Sequence, residues 1–174
     1  LVTAGGDEDV AIPINILLAL TDLNGSVNEQ IQEPIMITVG LGATLSAGTP
    51  LGGGVYEVSL AQLAGLTVTS ASSSGDDIPI TIQVTSVEPA NGDTEVTTFN
   101  GAIPVTQIAD APTLVVANVT GNEDTAIDLN ISSSLKDVDG SESLSITIAG
   151  VPTGAKLSAG TANANGSWTL TPAE

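Results

Sequence analysis

The sequence has no cysteine and no histidine, and its only cationic side chains are Lys136 and Lys156. Without cysteine there can be neither a disulfide staple nor a thiolate metal site. Without either residue type, most nucleophilic and proton-shuttle schemes of catalysis are closed as well. Aromatics are nearly absent too: Tyr56, Phe99 and Trp168 stand alone. A carboxylate pair could still cleave a glycoside, but three scattered rings do not make the platform on which a sugar would rest. No run approaches the roughly 18 apolar residues that would imply a membrane span. The opening Leu1-Val2-Thr3-Ala4 has neither the basic region nor the apolar stretch of a signal peptide. These absences point away from an enzyme and from membrane insertion, and toward a piece of a longer protein.

Asp and Glu number 20, giving a formal charge of −18. A polyanion of this kind repels nucleic acid and anionic lipid, so neither is an expected partner. Hydrophobic residues make up 41% of the chain, enough for a core, which has to be built from Val, Ile, Leu and Ala. Thr, Ser and Val abound, with 19 Gly and 9 Pro as punctuation, the composition of many short strands joined by turns. A secreted domain without disulfides needs another staple, and acidic loops nominate divalent cations.

Self-comparison sets the organisation. Gly6-Asp7-Glu8-Asp9-Val10-Ala11-Ile12 returns as Gly121-Asn122-Glu123-Asp124-Thr125-Ala126-Ile127, an offset of 115. The same offset carries Asp22-Leu23-Asn24-Gly25-Ser26 onto Asp137-Val138-Asp139-Gly140-Ser141. At an offset of 112, Leu45-Ser46-Ala47-Gly48-Thr49 matches Leu157-Ser158-Ala159-Gly160-Thr161, and Gly54-Val55-Tyr56 matches Gly166-Ser167-Trp168. Extra residues around Val27 to Gln32 account for the slippage. The unit length is that of an independently folding β-sandwich. The fold expected is therefore all-β: tandem immunoglobulin-like or cadherin-like sandwiches, residues 1–111 and 112–174. Pro112 stiffens the joint between them. The second copy is expected to be incomplete, because Glu174 aligns with Gln62 and residues 63–110 have no counterpart.

Period-two alternation places strands near 11–16, 35–40, 43–47, 55–60, 66–70, 78–87 and 94–108 in the first copy. In the second copy it places them near 114–119, 125–131, 144–149, 155–158 and 167–171. A single helical turn is expected near 60–64. Tyr56 and Trp168 are expected at equivalent, partly packed positions. The carboxylates fall between strands, at turns. For any one Asp-x-Asn-Gly or Asp-x-Asp-Gly segment an ordinary turn is a sufficient explanation, since Asp, Asn and Gly favour left-handed backbone. The spacing is not that of an EF-hand, because Gly follows the second acidic position directly and Ile148 stands twelfth from Asp137. Counting strand directions through a seven-strand sandwich gives a sharper expectation. Glu8, Asp9, Asp110, Asp137 and Asp139 gather at the junction of the two copies, and Asp76 and Asp77 join them if the 66–70 segment does not reverse the count. Asp22, Asn24 and Asp93 mark the opposite, N-terminal end, and Glu123 and Asp124 the far end of the second copy. Crowded carboxylates repel unless a cation intervenes, and many flexible oxygen ligands suit Ca²⁺ better than Mg²⁺.

With these residues in place, the chain resembles the immunoglobulin-like and cadherin-like tandem repeats of large RTX-type bacterial adhesins. The resemblance is carried by Asn122-Glu123-Asp124-Thr125-Ala126-Ile127, by Asp137-Val138-Asp139-Gly140-Ser141-Glu142-Ser143-Leu144, by Leu157-Ser158-Ala159-Gly160-Thr161 and by Gly166-Ser167-Trp168-Thr169-Leu170-Thr171-Pro172. The first copy departs from it with Asn24 in place of an aspartate, Tyr56 in place of a tryptophan, and the insertion after Ser26. The resemblance implies export by type I secretion to the cell surface, and a role as a calcium-rigidified extender in adhesion and biofilm formation. The partners it implies are neighbouring repeats of the same chain or fibre, with the host or surface ligand bound elsewhere in the parent protein. Completion by a strand from another chain, or interruption by an inserted ligand-binding domain, are the alternatives that the half-length second copy raises.

Overall fold

The computed structural model describes residues 5–20, 29–71, 75–138 and 140–173. The chain divides into two compact units, Leu1–Ile108 and Ala109–Glu174, slightly ahead of the Ala111–Pro112 joint that the proline led us to expect. Both are all-β, built from several antiparallel sheets without a closed barrel, as β-sandwich domains are. No helix among the described residues is long and apolar enough to cross a membrane.

The first unit runs β1 (Gly6–Asp7), β2 (Ile12–Pro13), β3 (Gln30–Val39), β4 (Thr44–Leu45), β5 (Thr49–Gly52), β6 (Val55–Val58), β7 (Thr67–Thr69), β8 (Ile78–Glu88), β9 (Asp93–Ile103) and β10 (Val105–Thr106). A five-stranded sheet has the order β5-β6-β3-β8-β9, and a three-stranded sheet the order β2-β7-β4. Ile12 and Val68 from the smaller sheet meet Ile35, Ile37, Val58, Ile80 and Ile82 from the larger in one buried cluster, which makes the unit a sandwich. The alternation of β8 explains its place. Ile78, Ile80 and Ile82 are buried while Pro79 and Gln83 are exposed, so one face of the strand lines the core. The expected helical turn is a 3₁₀ turn at Leu60–Leu63, where Ser59 N donates to Gln62 Oε1 at 2.9 Å.

Two expectations for this unit need correction. The long last strand breaks at Pro104, which has no N–H with which to continue the β8 ladder. The chain then changes partner, and β10 runs parallel to β1 in the register Gly6↔Val105 and Asp7↔Thr106. The strand expected at 35–40 starts earlier, at Gln30, since Gln30–Gln32 pair with Thr85–Val87 before a register shift around Pro34.

The second unit runs β11 (Thr113–Val116), β12 (Ile131–Ser134), β13 (Ile146–Ile148), β14 (Thr161–Ala162) and β15 (Trp168–Leu170). Its three-stranded sheet, β13-β15-β14, repeats part of the large sheet of the first unit. Pro50↔Tyr56 and Tyr56↔Ile37 become Ala162↔Trp168 and Trp168↔Ile148, all in antiparallel register. Tyr56 and Trp168 thus occupy equivalent ladder positions, and both rings are half-buried.

The strands expected at 125–131 and 155–158 are not formed. Pairing begins only at Ile131, against β11, and Ala155 N closes a turn on Pro152 O at 3.0 Å. Both segments correspond to strands that β7 holds together in the first unit, β2 and β4. Among the described residues of the second unit no strand corresponds to β7. Edge segments without a ladder partner do not register as strands, whatever their alternation.

Candidate functional site

The turn after β1 is an acidic feature that is built locally. Asp9 lies in the left-handed region at φ 59°, and Asp124, its counterpart, at φ 58°. Asp tolerates that backbone better than most side chains because its short polar group bonds locally. Gly6 and Gly121 leave room for the isoleucine six residues on. A Cβ at either glycine would come within 2.8 Å of Ile12 Cγ1 or within 2.5 Å of Ile127 Cγ1. Two closely similar short sequences therefore make the same turn.

What differs is the surroundings of the glutamate. In the first unit Glu8 is only 6% exposed. Its backbone N–H donates to Thr106 O at 3.0 Å, and its Oε1 accepts from Ile108 N at 2.7 Å. Its Oε2 is buried with no hydrogen-bond partner. Residues 1–108 contain no Lys, Arg or His, so no side chain of the unit can supply a positive charge. A buried carboxylate oxygen with neither donor nor countercharge is costly, and a cation from solvent removes that cost. Asp77 Oδ1 accepts from Val105 N at 3.2 Å, so Glu8 and Asp77 both hold the exit segment, Val105–Ile108. The Gly75 that precedes Asp76 and Asp77 packs against the same segment, where a Cβ would meet Gln107 Cγ at 2.0 Å. Asp9, Asp76 and Asp77 are themselves exposed. In the second unit Glu123 and Asp124 are exposed, with no counterpart of β10 among the described residues to bury them.

At the start of the second unit, Asp110 Oδ2 pairs with Lys136 Nζ at 2.9 Å. Asp110 N donates to Glu142 Oε1, and Asp137 beside Lys136 is 2% exposed. Two residues left out of the expected site are thus central to this end: Lys136, which supplies a positive charge directly, and Glu142. Glu142 lay in plain view within Asp137-Val138-Asp139-Gly140-Ser141-Glu142, three residues past the last aspartate of the turn. Lys136 offsets part of the repulsion that was expected to require a cation at Asp110.

Asp93 belongs to a hairpin turn, its N–H donating to Asn91 Oδ1 at 2.8 Å while Gly92 N donates to Glu88 O at 2.8 Å. That is the work of an ordinary turn residue. Asp22, Asn24 and Asp139 lie outside the described residues. Among the described residues no three carboxylates come together closely enough to hold a metal ion by themselves. The oxygens at the exit of the first unit are hard donors, one of them orphaned and buried, and would suit a hard cation. A full set of about six to eight ligands there would draw on backbone carbonyls and water besides Glu8. Comparison of the chain with family models, with curated proteins and with solved structures finds no match.

Proposed function

We propose that the chain is a structural extender: tandem β-sandwich repeats of an extracellular bacterial adhesin, stiffened by calcium. The observation that carries this reading is the repeat itself, conserved in strand register from Pro50↔Tyr56↔Ile37 to Ala162↔Trp168↔Ile148. A chain that repeats a sandwich unit in tandem through a proline-containing joint is suited to spanning distance. The lack of His and Cys and the scarcity of aromatics leave it poorly equipped for catalysis. The calcium part of the reading is supported by the orphaned Glu8 oxygen at the exit strand of an all-acidic unit. Extracellular calcium modules bind with dissociation constants of about 10⁻⁴ to 10⁻³ M.

Calcium at ten to a hundred times that constant is expected to stabilise the first unit by roughly 1.4 to 2.7 kcal/mol, read as a rise in melting temperature over a chelated sample. Glu8→Gln keeps an oxygen for Ile108 N–H but removes the charge, and is expected to abolish the calcium response. Stiffening is read separately, as a maximum dimension in small-angle scattering that falls when calcium is chelated. Identical melting and scattering with and without calcium would reduce Glu8 to a structural anchor of β10.

A further inference from the structure

The two edges of the large sheet of the first unit are built differently. β5, at one edge, has four residues, carries Pro50 and Gly52, and shifts register against β6 between them. A short strand, a proline and a bulge are devices that keep a free sheet edge from pairing with another chain. β9, at the other edge, has none of them. It runs for 11 residues, pairs with β8 without a register shift from Ile78↔Ile103 to Glu88↔Asp93, and contains neither proline nor lysine. Its one glycine, Gly101, lies under the Phe99 ring, so that an added Cβ would meet Phe99 Cε1 and Cζ at 2.7 Å. Glycine within a strand often marks a bend, but here an aromatic covers it and the strand stays regular. Residues 93–102 are all exposed, Val96 at 54% and Phe99 at 40%. Among the described residues no strand pairs with the outer side of β9.

Charge placement says which partner this edge fits. Asp93 and Glu95 stand at the start of β9, and residues 96–103 carry no charge. On the strand face turned from the core, Thr94, Val96, Thr98, Asn100 and Ala102 follow one another, and the positions of β8 and β3 paired along that face are uncharged too. A chain with 20 acidic residues thus keeps them off this stretch of the sheet. A cationic partner would find little to pair with there, whereas a second acidic copy meets little repulsion. We infer that β9 is a self-association edge, its occupant the β9 of a second copy of this chain, paired antiparallel about Thr98. This register sets Glu95 against Gly101, Val96 against Asn100 and Thr97 against Phe99. The two Glu95 carboxylates then lie as far apart along the ladder as Glu95 is from Gly101, about 20 Å, beyond the screening length of about 8 Å at physiological salt. A parallel in-register pair would hold them about 5 Å apart. Main-chain hydrogen bonds supply the affinity, as in other strand additions, and Phe99 of each copy covers Thr97 of the other. The inference rests on the first unit alone, independent of calcium and of the second unit.

The test is sedimentation of the whole chain over a range of concentrations, with substitutions at the two-fold position, where Thr98 faces its own copy at about 5 Å between Cβ atoms. The unsubstituted chain is expected to dimerise reversibly, and more tightly as salt screens the repulsion between two acidic molecules. Thr98→Asp and Thr98→Lys each set like charges together and are each expected to weaken the dimer at least about tenfold. An equimolar mixture of the two variants pairs opposite charges and is expected to recover that loss. Thr98 is exposed, and circular dichroism checks that each variant stays folded. Without any substitution, hydrogen exchange of the β9 amides is expected to slow as concentration rises while that of the β5 amides does not. A chain that stays monomeric up to about 1 mM overturns the inference. A dimer that ignores both variants, or a mixture no tighter than either variant alone, overturns it too. So does a monomeric chain whose β9 amides are protected by a lysine-rich, strand-forming peptide, which assigns the edge to a cationic partner.

Discussion

Ile12→Ala is expected to cost the first unit about 2–5 kcal/mol, while Ile127→Ala, the same substitution at the same place in the repeat, is expected to cost the second less than about 1 kcal/mol. Ile12 is 1% exposed and packs into a cluster drawn from both sheets of the sandwich, so its truncation leaves a cavity that the neighbouring strands cannot fill. Ile127 is 44% exposed, and its removal opens no enclosed void. Native-state hydrogen exchange separates the two outcomes, since β8 amides report on the first unit alone and β15 amides on the second. Comparable losses at the two sites would mean that Ile127 is already covered in solution.

The same contrast explains how much of the molecule was legible in the sequence. Strands and turns set by local chemistry were readable. The alternation Ile78-Pro79-Ile80-Thr81-Ile82 gives β8, and Glu8-Asp9 and Glu123-Asp124 give one turn with nearly identical left-handed φ in both copies. Strands that exist only through a partner were not. Thr125–Ile131 and Ala155–Ser158 have strand-like patterns, but β7, which pairs with their equivalents, lies in the 63–110 stretch that has no counterpart in the second copy, and alternation alone does not register that loss. The last strand was overextended for a related reason. Pro104 marks the break, but the change of partner from β8 to β1 is a fact of tertiary packing. At the candidate site, the carboxylates could be placed at turns from their neighbours in sequence. Their inequality could not. Glu8 is buried and Glu123 exposed because β10 lies on one and not on the other. Asp110 meets Lys136 because strand pairing between β11 and β12 brings residues more than twenty apart in sequence to the same end of their hairpin.

Gly54→Ala and Gly166→Ala form the second pair in which equivalent positions of the repeat should give different energies. Both glycines stand two residues before the aligned aromatic, and both adopt φ +82°. An alanine at either site therefore meets the left-handed penalty of roughly 1–2 kcal/mol. At Gly166 nothing lies within 4 Å of the added Cβ, so the cost should stop there. At Gly54 the Cβ would fall 2.2 Å from Val39 O, a backbone atom that cannot swing aside. The same turn is tied by Val39 N donating to Gly54 O at 2.9 Å. Relieving the clash means pulling this turn away from the end of β3, the central strand of the larger sheet, at a further cost of about 1–3 kcal/mol. The expected total at Gly54 is thus roughly 2–5 kcal/mol, measured as a lowered urea midpoint for the first unit by circular dichroism, with the β15 amides unaffected. For Gly166→Ala the exchange rates of β15 should rise modestly and β3 should not respond. Equal penalties at the two glycines would show that the β5–β6 turn does not press on β3 in solution, and would remove the packing difference on which the contrast between the units is founded.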